Sequence, residues 1–120
     1  MNKRILVIED VKINRELAAA ALRRAGYDTI DCSTGNEGIK KAIAEKPDLI
    51  LSDFGLEDID GKQIVESLRN HDETKNIPIV LLTAYMDQKK NFKPGEISAF
   101  LVKPVSPNIL IELVNRLMKV

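Results

Sequence analysis

Five short apolar runs punctuate the chain, and helix-like patterns separate them. The runs are Arg4-Ile5-Leu6-Val7-Ile8, Thr29 to Cys32, Leu49-Ile50-Leu51 leading to Ser52-Asp53, Ile79-Val80-Leu81-Leu82 ending on Thr83-Ala84, and Ala99-Phe100-Leu101-Val102 ending on Lys103-Pro104. Leu49 to Leu51 shows no polar alternation, as expected of a strand buried on both faces of a parallel sheet. Between the first two runs, Leu17, Ala18, Ala21, Leu22 and Ala25 recur at three- and four-residue spacing. They predict one apolar face of a helix from Lys12 to Ala25, which Gly26 stops. After a Thr34-Gly35 loop, Ile39, Ala42 and Ile43 mark the inner face of a second helix. Glu37 and Lys41 are expected to form an exposed pair on it. Phe54 to Gly61 reads as a loop, and Ile64, Val65 and Leu68 as the inner face of a third helix. A weak fourth helix is expected from about Asp87, cut short by Pro94-Gly95. Ser106 as N-cap and Pro107 at the first helical position open the last helix, with Ile109, Leu110, Leu113, Val114 and Leu117 inward. Strand and helix alternate throughout. This predicts an α/β fold, a three-layer doubly wound sheet of five parallel strands with helices on both faces.

Composition narrows the class. The chain has 120 residues, 44% hydrophobic and 30% charged, enough for one domain with one core, expected to span 1–120. The last predicted helix reaches the end of the sequence read, and no output domain is expected. Lys plus Arg and Asp plus Glu both number 18, so the zero net charge argues against a nucleic-acid partner. No apolar run approaches a membrane span, and the N-terminus lacks a signal-peptide core, so no membrane association is expected. Cys32 is the one cysteine and cannot form an internal disulfide. A cytoplasmic location is the expectation.

The chemistry lies at the strand ends. Glu9-Asp10, Asp53, Thr83 and Lys103 follow or end four of the five runs, and a parallel sheet brings those ends to one edge. Carboxylates gathered there repel one another. A divalent cation removes the conflict, and Mg²⁺ prefers oxygen ligands, commonly one or two carboxylates plus a phosphate. A lysine and a hydroxyl beside them suit phosphoryl oxygens. The chemistry implied is an aspartyl phosphate, with a carboxylate as nucleophile.

In this arrangement the chain resembles the bacterial response-regulator receiver domain over essentially its whole length. The resemblance rests on Glu9-Asp10, Asp53, Thr83-Ala84 and Lys103-Pro104, with Asn14-Arg15, Gly26-Tyr27 and Asp60-Gly61 in their expected places. It implies a flavodoxin-like sheet of strand order 2-1-3-4-5. It implies Asp53 as phosphoacceptor, with Mg²⁺ held by Asp10, Asp53 and the Gly55 carbonyl, and Glu9 acting through water. By the same resemblance Thr83 and the Ala84 amide hold phosphoryl oxygens, and Lys103 pairs with the phosphoryl group. The Lys103-Pro104 bond is expected to be cis, and Phe100 to be the aromatic switch that follows Thr83. The implied partner is a sensor histidine kinase or a histidine phosphotransfer protein. The protein would then be a phosphoacceptor that assists its own Mg²⁺-dependent phosphorylation and dephosphorylation, not an enzyme acting on a separate substrate.

Four positions depart from the family pattern. Leu56-Glu57 replaces the usual Met-Pro. Gly55 offers no side chain to orient or block water, whereas Tyr85 offers a bulky one, so a long-lived phosphoryl group is expected. The twenty positions from Thr83 to Lys103 fall slightly short of the family spacing, and the shortfall lies on the fourth helix. Few apolar anchors occur from Met86 to Ser98, so that region is expected to be the most mobile and to respond to phosphate. Ile13, near Asp10, is expected to stay exposed as a contact for the phosphate-supplying partner, which docks over the first helix and the Asp53 loop.

Other readings fare worse. Asp53-Phe54-Gly55 mimics a kinase metal-binding tripeptide but lacks every companion motif. Asp58-Ile59-Asp60-Gly61 echoes a calcium loop with the wrong spacing. Glu57, Asp58 and Asp60 read as a solvated loop with a helix N-cap, and His71 as a surface residue. A phosphatase would need a second acid/base carboxylate and a substrate cap. A flavin site would need a hydroxyl-rich loop where Glu9-Asp10 stand. The alternative in the binding class is a pseudo-receiver whose binding face ignores phosphate, and intact Asp10, Asp53, Thr83 and Lys103 argue against it.

Overall fold

The computed structural model describes residues 2–84 and 91–119. In chain order stand β1 (Arg4–Ile8), α1 (Lys12–Arg24), β2 (Asp28–Cys32), α2 (Gly35–Glu45), β3 (Leu49–Asp53), α3 (Gly61–Arg69), β4 (Ile79–Thr83), β5 (Ala99–Val102) and α4 (Pro107–Met118). The strands form one parallel sheet in the order β2-β1-β3-β4-β5, as the resemblance implies. Tyr85 and the expected start of a further helix near Asp87 lie outside the described residues.

Successive strand residues point to opposite faces, which explains the unbroken apolar runs. Leu6, Ile8, Ile50 and Leu81 pack against Ala42 of α2 and Ile64, Val65 and Leu68 of α3. Ile5, Val7, Leu49, Leu51 and Val80 pack against Leu22 of α1 and Leu110, Val114 and Met118 of α4. All of β3 is buried, so the strand that delivers Asp53 is held from both sides. Gly38 lets α2 lie close on β1: a Cβ there would stand 2.3 Å from Cδ1 of Ile8, the residue just before Glu9.

The helix faces differ in detail from the periodic pattern. Leu17 is 62% exposed, whereas Ala19 is fully buried. The small Ala19 and Leu22 form the buried positions of α1, and this rotates Leu17 outward. Ile109 is 56% exposed because it sits in the first turn of α4, its amide donating to Ser106 Oγ. That helix settles on the sheet only from Leu110 onward, and Met118 joins the core. Lys41 pairs with Glu45 at 3.8 Å rather than with Glu37, which lies against the Cys32 thiol. His71 is half-buried, and its Nδ1–H donates to the Ser67 carbonyl at 2.7 Å.

Asp58 does more than decorate a solvated loop. Its two carboxylate oxygens accept from the Gly35 and Asn36 amides at 2.9 and 2.8 Å, while Thr34 Oγ1 accepts from Glu37. The loop after Asp53 thereby caps the N-terminus of α2. Slight burial pushes the Asp58 carboxyl up, but the amides of Asn36, Gly35 and Ile59 outweigh it and leave its pKa below the ordinary value. The stabilisation is therefore present above the usual carboxylate range and is lost as pH falls through the lowered value. Asp58→Ala is expected to cost about 1 kcal/mol at pH 7. Urea unfolding at pH 7 and at pH 3 checks this: the difference from wild type should shrink in acid.

Candidate functional site

Backbone bonds just past the strand ends extend the sheet's ladders by one residue. The Glu9 amide donates to the Cys32 carbonyl at 3.0 Å, Phe54 to Leu82 at 2.7 Å, and Lys103 to Thr83 at 2.8 Å. Glu9-Asp10, Asp53, Thr83 and Lys103 are thus delivered to one edge of the sheet. Glu9, Asp53 and Thr83 are 3%, 8% and 3% exposed. Asp10 and Lys103 are half-buried.

Lys103 Nζ stands 3.0 Å from Asp53 Oδ1 and 3.1 Å from Glu9 Oε1. The other Glu9 oxygen accepts from the Val11 amide at 3.1 Å, and Arg15 donates to the Glu9 carbonyl at 2.8 Å. One oxygen from each of Glu9, Asp10 and Asp53 lies within 4.8 Å of the others. Burial pushes the Glu9 carboxyl up and the Asp53 charge pushes the same way; the Val11 amide and Lys103 oppose without cancelling. Burial disfavours the Lys103 ammonium, but Asp53 and Glu9 prevail and hold its pKa above the usual lysine value.

Three carboxylates facing one ammonium leave excess negative charge in a sheltered cleft. The donor set is oxygen only, which fits a hard cation such as Mg²⁺. Asp53 is also positioned to act as an oxygen nucleophile with a cation at its side. By contrast, burial and the nearby Glu37 push the Cys32 thiol up to about 12, so it has no thiolate to offer near neutrality.

The other residues expected at the site flank this cluster in sequence. Ala84 directly follows β4 and is exposed. Gly55 is exposed and bridges to Asp60 across the loop. Leu56 is buried and Glu57 exposed. The Lys103-Pro104 bond is cis. Phe100 pairs with Leu81 in the sheet and packs half-buried beside α3.

Residues 5–115 match the response regulator receiver domain. The chain belongs to this family. As a receiver it is a phosphoacceptor signalling module of phosphorelays rather than a conventional enzyme, and it implies a phosphodonor kinase as partner. The polar-differentiation response regulator DivK of Brucella anthropi is 30% identical over 117 residues, covering 96% of this chain and 95% of that protein. Chemotaxis protein CheY4 of Vibrio cholerae superposes with a TM-score of 0.90 at 27% identity, covering 98% of this chain and 99% of that one. Response regulator TrrA of Thermotoga maritima, solved in complex with Mg²⁺-BeF, superposes with a TM-score of 0.86 at 30% identity, covering 96% and 98%.

Several supports of the receiver site carry no sequence-level signal of their role. The Val11 amide and Arg15 hold Glu9 through one backbone donor and one backbone acceptor. A backbone contact leaves no constraint on residue type at Val11. Arg15 belongs to the family resemblance, but its spacing from Glu9 does not reveal which atom it grips.

Proposed function

We propose that Asp53 accepts a phosphoryl group from a phosphohistidine and that the loaded receiver changes its affinity for a partner. The observation that carries this reading is the Lys103 ammonium set between Asp53 and Glu9, with Asp10 completing the acidic cluster. An Asp53 carboxylate oxygen attacks phosphorus, an O–P bond forms, and the donor P–N bond breaks with its electron pair returning to the imidazole. Lys103, Thr83 and the Ala84 amide then hold phosphoryl oxygens. Asp10 and Asp53, with the Gly55 carbonyl and Glu9 through water, would hold Mg²⁺. Bound there, the ion supplies charge neutralisation for the transferring group. Loss of phosphate is hydrolysis of the same acyl phosphate in the same site, and Gly55 offers the attacking water no side chain.

The partner surface proposed is α1 and the Asp53 loop. Val11, Ile13 and Leu17 are 48%, 59% and 62% exposed, an apolar face beside the acidic cluster. Next to it a groove of about 630 Å³ runs between α1 and the Pro104–Pro107 turn and reaches Glu9 and Lys103. Among the described residues no helix is long and apolar enough to cross a membrane, which accords with a proposed cytoplasmic location.

Incubation with acetyl phosphate and Mg²⁺, followed by intact mass measurement, should show one added phosphoryl group that fails to appear with EDTA. An unmodified mass under both conditions would favour a phosphate-independent receiver instead.

Asp10→Asn separates the metal role from the charge role. It should weaken Mg²⁺ binding by removing a charged ligand. It should also stabilise the metal-free protein by about 1 kcal/mol, because it relieves like-charge repulsion at close range. Thermal melts with and without Mg²⁺ test both, and a variant with a lower melting temperature in EDTA contradicts the charge argument.

A further inference from the structure

Three phenylalanine rings link the residue after Asp53 to β5. Phe54 and Phe92 meet edge to face, centroids 6.3 Å apart and planes at 84°. Phe92 and Phe100 meet at 5.4 Å and 60°. All three rings are half-buried against the core layer shared with α2 and α3. Phe54 has little freedom of its own. A Cβ on Gly61 would stand 2.6 Å from its ring, its amide donates to Leu82, and its carbonyl accepts from Gly61 at 2.8 Å. Where the loop goes, the Phe54 ring goes.

Phe92 is the middle ring, and it comes from the stretch where this chain departs from the family spacing. Lys62, in the first turn of α3, places Nζ 5.0 Å over the Phe92 ring. The same ammonium donates to the Asn91 carbonyl at 2.6 Å and pairs with Glu96 at 3.8 Å. Glu96 in turn accepts from the Lys93 amide at 2.6 Å, and its carbonyl accepts from Arg69 at 3.0 Å. Residues 91–98 are the described part of the Met86–Ser98 stretch expected to have few apolar anchors. They are in fact tied to the Asp53 loop and to α3 through the Phe92 ring and two cations, and Ile97 packs on the same core layer.

We propose that Phe92 is a positioning residue that couples the state of Asp53 to the surface formed by residues 91–98, with Lys62 as its second anchor. The proposal rests on Asp53 as phosphoacceptor. Aromatic pairs depend on mutual orientation, so a shift of Phe54 on one side or Phe100 on the other alters both contacts of Phe92 together. Packed elements respond to such shifts by changing arrangement rather than by deforming continuously. The coupling is reciprocal: whatever binds residues 91–98 in one arrangement also biases loading at Asp53.

Hydrogen exchange with and without Mg²⁺ and beryllofluoride tests this on wild type, Phe92→Leu and Phe92→Tyr. In wild type, loading should change exchange at residues 91–98 by about fivefold, the scale of one edge-to-face contact. In Phe92→Leu the change there should vanish while amides of β3 and the Asp53 loop still report loading. Phe92→Tyr, which keeps the ring, should restore it. Lys62→Met, which leaves the core untouched, should reduce the response without abolishing loading. A wild type that does not load overturns the acceptor assignment and the coupling with it. A wild type that loads, with Phe92→Leu responding equally at residues 91–98 or Phe92→Tyr failing to restore the response, overturns the coupling alone.

Discussion

Asp53→Asn should abolish Mg²⁺-dependent phosphoryl incorporation, lowering its rate by at least about three orders of magnitude, as removal of a nucleophile does elsewhere. The amide keeps the shape of the side chain but cannot form an acyl phosphate. Shape matters here because Asp53 is nearly buried and its oxygen meets Lys103 at 3.0 Å. Asparagine should therefore leave the fold intact, and an unchanged far-ultraviolet spectrum is the control. Intact mass after incubation with acetyl phosphate is the measurement. If the variant gains one phosphoryl group at the wild-type rate, the acceptor lies elsewhere.

Lys103→Met should lower stability by about 2 kcal/mol at pH 7, because it removes the ammonium that faces one oxygen each of the sheltered Glu9 and Asp53 carboxylates. For a domain of this size that is a fall in melting temperature on the order of 8 °C. The pH dependence comes from the two shifted groups. Lys103 has a raised pKa, so its contribution is present below the ordinary lysine value and is lost as pH rises through the raised one. Glu9 also has a raised pKa, so on the acid side the ion pair starts to fade above the usual carboxylate range. The gap between wild type and variant should thus be widest from neutral to mildly alkaline pH. Mg²⁺ should recover more of the melting temperature in the variant than in wild type, since it supplies the missing positive charge. A variant as stable as wild type at pH 7 without Mg²⁺ would sink the view of Lys103 as the cluster's counter-charge.

Much of the architecture is legible along the chain because burial on two faces writes itself into consecutive residues. Leu49-Ile50-Leu51 can be continuous and apolar only where both faces are covered, and β3 is so covered. Ser106-Pro107 announces the start of α4 because capping is local chemistry. Glu9-Asp10, Asp53, Thr83 and Lys103 can be gathered from the sequence because parallel strands bring their C-terminal ends to one edge. The structure brings Glu9, Asp10, Asp53 and Lys103 together there. The helix faces are less legible. Leu17 and Ile109 satisfy the periodicity yet point to solvent: α1 is rotated by what it packs against, with Ala19 offering the closer approach, and Ile109 lies in the first turn of α4, before that helix settles on the sheet. His71 and Asp58 read as surface residues because nothing local distinguishes a free polar side chain from one bonded to backbone groups. For Asp58 those groups belong to a helix supplied from elsewhere in the chain.

The sequence by itself determined the number of strands and their alternation with helices along the chain, the parallel sheet, and the residue types brought to its edge; the order of strands across the sheet followed from the family resemblance. The strands and helices rest on hydrophobic periodicity and capping, which act over a few neighbouring residues; the gathering at one edge follows because strands joined through helices run parallel. Only the tertiary structure decided that Lys103 splits its charge between Asp53 and Glu9, that Asp58 caps α2, and that Phe92 stands between Phe54 and Phe100. Each of these contacts joins residues at least 22 positions apart, except the Phe92–Phe100 pair. Their geometry depends on how helices and loops settle on the finished sheet. Propensity and spacing carry no information at that range, because the energy that selects such contacts exists only once the core has formed.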